Sequence, residues 1–176
     1  MKITWFGAMT YRIQIGGRII VLDPEGAPAT INVGELVSGA DSVIHPDPTD
    51  LEDFEGAAWR PRRRARLIDE EEASLVLYRL DTSGLIVDSP DEGLLILDQA
   101  TSSTQYDRWA DGAVVILSGT GPQCGAHGTA LLEIARPKLL ALAIDDHDID
   151  PVFDLLAPLL GDTSLIVLEP SLAVEI

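Results

Sequence analysis

The sequence predicts an α/β fold, an αββα four-layer sandwich in minimal form, with two facing sheets and helices packed outside. Three observations carry this expectation. The first half of the chain reads as strands and hairpins, the second half alternates buried strands with helices, and 176 residues suffice for a single domain, 1–176, with a substantial core.

KITWF (2–6) alternates and reads as a strand. TYRIQI (10–15) and RIIVLD (18–23) are two β-rich runs joined by Gly16-Gly17, a hairpin signal, and Asp23-Pro24 ends the second run. INVGELVS (31–38) reads as a short helix and ADSVIH (40–45) as a buried strand. Residues 46–58 are acidic and Pro-rich, and read as irregular or a short helix. SLVLYRLD (74–81) and GLIVDS (84–89) form a second hairpin turning at Thr82-Ser83-Gly84, and GLLILD (93–98) is a further strand.

After a polar stretch, AVVILSG (113–119) is apolar throughout, as a fully buried strand is. SGTGPQ (118–123) is Gly-rich but lacks the lysine of a phosphate-binding P-loop, and reads as a loop at that strand's C-terminal end. HGTALLEIARPK (127–138) reads as a helix ending before Pro137, and KLLALAID (138–145) as a buried strand. Asp150 is the expected N-cap of PVFDLLAPLL, with Pro151 at the first helical position, and SLIVLEP (164–170) is the last strand.

The formal net charge of -17 argues against nucleic acid and anionic membranes as partners, since like charges repel. It leaves a homo-oligomer, a small molecule or a protein ligand. No apolar run approaches the ~20 residues that span a bilayer, the N-terminus shows no secretory signal, and Cys124 has no second cysteine to pair with. The cytoplasm is the expected location. RPRRRAR (60–66) runs against the charge balance with Arg60, Arg62, Arg63, Arg64 and Arg66, and DEEE (69–72) follows it. Two readings stand: a solvated loop whose charges pair locally, or an anion site or self-association patch, for which arginine's planar fork is suited.

The opening MKITWFGAMTYRIQIGGRIIVLDP resembles that of metallo-β-lactamase-fold hydrolases. The branch it resembles includes the L-ascorbate-6-phosphate lactonase-like proteins, with a pattern like KITWLGHASFRIEIGGKxILIDP. ADSVIHPDPTDLED takes the place of the family's strand and metal motif THxHxDH, and YRLDTSGLIVDSPDEG resembles YxIExxGxxIxFxGDTG, which delivers a bridging aspartate. EIARPKLLALAIDD resembles the late segment IKPKVVIPMHYD. The resemblance implies the four-layer sandwich and a dinuclear zinc hydrolase site.

The departures concern the ligands. Ala8 stands where a histidine usually follows the first glycine, and the motif's three histidines and aspartate map onto His45, Asp47, Asp50 and Thr49. The bridging aspartate maps onto Asp91, with Asp98 the alternative. The last histidine falls on Ile144, beside Asp145 and Asp146, and no residue answers to the mid-chain histidine. His127 and His147 match no ligand position and read as surface or capping residues.

Zinc hydroxide chemistry in this fold needs neutral imidazoles and a bridging carboxylate. The set His45, Asp47, Asp50, Asp91 and Asp145 is instead rich in oxygen, which suits harder ions. Cys124 has no His-Asp pair spaced to activate it. The leading expectation is a protein that has lost the zinc site and acts as a binding, regulatory or structural subunit without a cofactor. The second is a hydrolase with a remodelled, carboxylate-rich centre holding a divalent metal (Mn, Mg or Zn). The third is a self-assembling protein whose arginine patch docks on a neighbouring acidic surface.

Overall fold

The computed structural model describes residues 1–45, 50–62, 75–80, 84–100 and 104–176. Strands β1 (Lys2–Gly7), β2 (Thr10–Ile15), β3 (Arg18–Leu22) and β4 (Ser42–Ile44) open the chain, with a one-turn helix, α1 (Val33–Leu36), between the last two. β5 (Glu52–Asp53), β6 (Val76–Leu80), β7 (Gly84–Ser89), β8 (Gly93–Gln99) and β9 (Val114–Ser118) follow. Then come α2 (Gly121–Ile134), β10 (Leu139–Ala143), α3 (Ile149–Leu156), β11 (Ser164–Val167) and β12 (Ala173–Glu175).

The strands form two sheets, ordered β12-β1-β2-β3-β4 and β11-β10-β9-β8-β7-β6-β5. Period-two alternation divides their side chains between two cores. Ile3, Trp5, Ile13 and Ile15 of the smaller sheet meet Leu95, Leu97, Val114 and Ile116 of the larger one. The intervening residues Leu94, Ile96, Val115 and Leu117 face the other way, onto Leu131 and Leu132 of α2 and Val152 and Leu156 of α3. This is why GLLILD and AVVILS are apolar at successive positions: both faces of those strands are covered.

Between β3 and β4 the helical segments are the 3-10 turn Pro24–Gly26 and the α1 turn. Leu36 of α1 is buried, and Arg12 holds this turn by donating to the Leu36 carbonyl and to the Ser38 carbonyl at 3.0 Å.

Four elements differ from the sequence expectation, and the first is β5, which pairs with β6 inside a run that reads as irregular or a short helix. α2 begins at Gly121, so His127 lies inside it, because Gln123 Oε1 reaches back to the Thr120 N–H (3.2 Å) and hydroxyl (2.7 Å) and Pro122 falls in the first turn. α3 is capped at Asp148, two residues before Asp150. β12 pairs antiparallel with β1, a short strand that its own residues do not announce. No helix among the described residues is long and apolar enough to cross a membrane.

β8, β9, β10 and β11 run parallel, as do β3 and β4. Met9, in the turn between β1 and β2, meets Ser118 at the end of β9, with Oγ to Sδ 3.0 Å. The carboxyl ends of β3 and β4 therefore share one rim with those of β8, β9 and β10. In sheets of this kind ligands bind at such an edge.

Candidate functional site

On the smaller sheet's side the rim is built on tight backbone. Ala8 has φ 43° and Asp23 φ 45°, left-handed conformations rare for residues with a Cβ. Asp23 is held there by its own side chain, whose Oδ1 accepts from the Gly26 N–H at 3.2 Å, and by Thr10 Oγ1 donating to its carbonyl at 2.8 Å. His45 follows β4, as the sequence expects, and its Nδ1 lies 3.1 Å from Glu25 Oε2. Both side chains are largely exposed, at 61% and 69%. Asp50 is exposed in the following turn. Asp47, with Pro46, Pro48 and Thr49, lies outside the described residues.

Asp91 is not brought to this rim. It sits in the turn between β7 and β8, at the amino end of β8, about 20 Å away by the ~3.3 Å rise of each strand residue. Its neighbour Glu92 belongs to a local network there, taking the Met1 ammonium at 2.6 Å and the Gly16 N–H at 2.6 Å. Burial alone would raise the Glu92 carboxyl, but these partners and Lys138 outweigh it and leave the pKa lowered. Asp145 lies on the His45 rim, exposed, just beyond β10. His147 is exposed, with Nε2 3.6 Å from Asp148 Oδ1.

The aspartate at the rim end of the larger sheet is Asp98, on β8 and only 1% exposed. Its carboxylate accepts from the Tyr106 hydroxyl and from Thr104 Oγ1 at 3.3 Å, and lies 3.3 Å from His127 Nδ1. Three elements converge here: the end of β8, the segment before the helical turn Arg108–Ala110, and the second turn of α2. A buried carboxylate is tolerable only when donors surround it, as these do. Burial and then the Asp98 charge raise the Tyr106 pKa, so the phenol keeps its proton and remains a donor.

The Asp98–His127 contact has the form of a base with its orienting group. No nucleophile completes it: among the described residues no hydroxyl or thiol bonds the other His127 nitrogen. Cys124 is close by, but burial, reinforced by Asp98 and Asp148, pushes its pKa up to about 12, so it stays an unreactive thiol. The Tyr11 hydroxyl is fully buried and makes no hydrogen bond among the described residues. Burial raises its pKa, and the nearby Ser118 hydroxyl, turned to Met9 Sδ, only moderates the shift.

A zinc pair needs several open imidazole, thiolate or carboxylate donors within reach of one another. Among the described residues no three His, Cys, Asp or Glu side chains form such a group. His45 faces Glu25, and both oxygens of Asp98 are already engaged. The described donors do not fit a dinuclear zinc centre.

The arginine segment is partly turned inward. Arg62 Nε lies 2.9 Å from Asp88 Oδ2, a carboxylate only 2% exposed on β7, and Arg62 Nη2 donates to the Asp88 carbonyl. Trp59 Nε1 adds a second donor to Asp88 Oδ2 at 3.2 Å. Arg60 donates to the carbonyls of Ala57 (3.0 Å) and Trp59 (2.6 Å). Arg63, Arg64, Arg66 and the acidic run 69–72 lie outside the described residues. Sequence reasoning missed Asp88. The signal was there, a lone charge in the apolar run GLIVDS, which demands a buried partner.

No protein-family model matches the chain, and no curated protein matches it. Among solved structures it is similar to a protein of the metallo-β-lactamase superfamily from Thermotoga maritima, assigned as a Zn-dependent hydrolase. The likeness has a TM-score of 0.52 at 15% identity and covers 96% of this chain and 99% of that one. At this identity it is a likeness of fold: two sheets in the metallo-β-lactamase manner.

Proposed function

We propose that this chain is a metallo-β-lactamase-fold protein whose rim has lost the zinc pair, and that it works by binding, as a regulatory or structural subunit, rather than by hydrolysis. The reading treats residues 1–176 as one domain and α1 as what remains of a fourth layer. One observation carries it. Asp98, the carboxylate at the rim end of the larger sheet, is sealed from solvent and spent on Tyr106, Thr104 and His127. A carboxylate used that way supports the local packing, with both oxygens engaged and burial keeping it from a solvent-fed metal site. The lactonase-like motif supports the reading too, since its address holds His45, Asp47, Thr49 and Asp50 in place of a histidine set.

The test is a panel of lactones, phosphodiesters and thioesters, each with added Zn²⁺, Mn²⁺ or Mg²⁺. The expected result is turnover no faster than buffer with the same metal. Metal-dependent turnover abolished by His45→Ala would overturn the proposal and favour the remodelled centre of His45, Asp47 and Asp50.

A further inference from the structure

More than half of the chain's Phe, Tyr and Trp residues gather in one place: Phe54, Trp59, Tyr78, Tyr106 and Trp109. Phe54 is the hub. Its ring meets Trp109 at 4.8 Å and Tyr78 at 5.5 Å, both edge to face, and Trp59 at 6.2 Å. The group covers the helix-side face of the larger sheet around its β5–β6 edge, well beyond α2, which packs on β9.

Phe54, Trp59 and Tyr78 line a cleft of about 600 Å³ completed by Glu52, Asp53, Glu55 and Ala58. Strand register explains the mixture. Glu52 pairs with Tyr78 across β5 and β6, so a carboxylate and a phenol stand side by side on one face. No lysine or arginine lines the cleft among the described residues. Asp53 is engaged by Arg79 Nη2 at 2.6 Å, but the Glu52 and Glu55 carboxylates have no ion pair or hydrogen bond among the described residues. The rings are also held in place, since Trp59 is anchored by its N–H to the buried Asp88.

Aromatic faces carry partial negative charge, and so attract cations, above all weakly hydrated organic ones. Carboxylates at the mouth add long-range attraction, reinforced by the net charge of -17. A ring cluster that served only to cap the sheet edge would gain nothing from unpaired carboxylates beside it.

We propose that this cleft binds a small organic cation, a quaternary or alkylated ammonium. The site is separate from the rim, and its standing does not depend on whether a metal binds there.

Calorimetric titration with choline tests it, against the neutral analogue in which a tert-butyl group replaces the trimethylammonium. The expected result is saturable single-site binding of choline, with the analogue about tenfold weaker, the scale of a desolvated cation–π contact. The double variant Glu52→Gln, Glu55→Gln should weaken choline several-fold without lowering the melting temperature, because both side chains are exposed. Equal affinity for the neutral analogue, or no saturable binding at millimolar choline, overturns the proposal. So does a dimer that the double variant disperses in the absence of choline binding, which would assign the cleft to a second copy of the chain.

Discussion

Arg62, next to Pro61, places its Nε 2.9 Å from Asp88 Oδ2, and this pairing is what lets a charged residue sit inside β7. Without Arg62, Asp88 keeps the Trp59 donor but not its counter-charge. Arg62→Ala should therefore cost about 2–3 kcal/mol, less than a fully buried pair because Arg62 is partly exposed. Arg60→Ala should change stability by under about 0.5 kcal/mol, as ordinary surface positions do. Urea unfolding of the two variants checks this, and equal small losses would contradict it.

The Asp98 cluster makes a second prediction. Tyr106→Phe removes the hydroxyl donor from a carboxylate that has no access to water, and should destabilise by about 1–3 kcal/mol. The same change in the background of Asp98→Ala should cost much less, because the partner is gone. A double-mutant cycle by thermal or urea unfolding reads the difference, and additive losses would refute the coupling.

The buried thiol predicts alkaline behaviour. Folded Cys124 holds its proton to about pH 12, while an unfolded cysteine ionises near about 8.5. Above that lower value the unfolded chain binds fewer protons, so stability falls as pH rises from about 9 toward 12. Tyr106, with its raised pKa, acts in the same direction further up the range. Cys124→Ala should flatten the first part of that decline. Thiol reagents near pH 8 should label the native protein far more slowly than the urea-unfolded chain. Rapid labelling of the native protein would show the thiol to be accessible.

Much of the fold was legible because its signals are local. Gly16-Gly17 between two β-rich runs placed the first hairpin, and the unbroken apolar runs at 93–98, 113–119 and 138–145 placed three strands covered on both faces. The start of α2 was not legible, because it depends on the Gln123 side chain reaching back to Thr120 inside what reads as a Gly-rich loop. β12 escaped notice since three residues carry no period of their own and become a strand only against β1. For the candidate site, only positions along the strands were legible. His45 was placed at the rim, but the choice between Asp91 and Asp98 depends on which end of β8 faces that rim, which is a property of the parallel topology rather than of the motif. The Arg62–Asp88 pair was out of reach because it joins residues 26 apart in sequence through tertiary packing.

The central claim is that the rim of this fold no longer holds a zinc pair, and metal content measures it most directly. Protein purified without chelators should contain far less than one equivalent of zinc, manganese or magnesium by mass spectrometry. Its melting temperature should be unmoved by EDTA, because among the described residues the Asp98 cluster is held by protein donors, Tyr106, Thr104 and His127. Stoichiometric, tightly held metal whose removal by EDTA lowers the melting temperature would contradict the account.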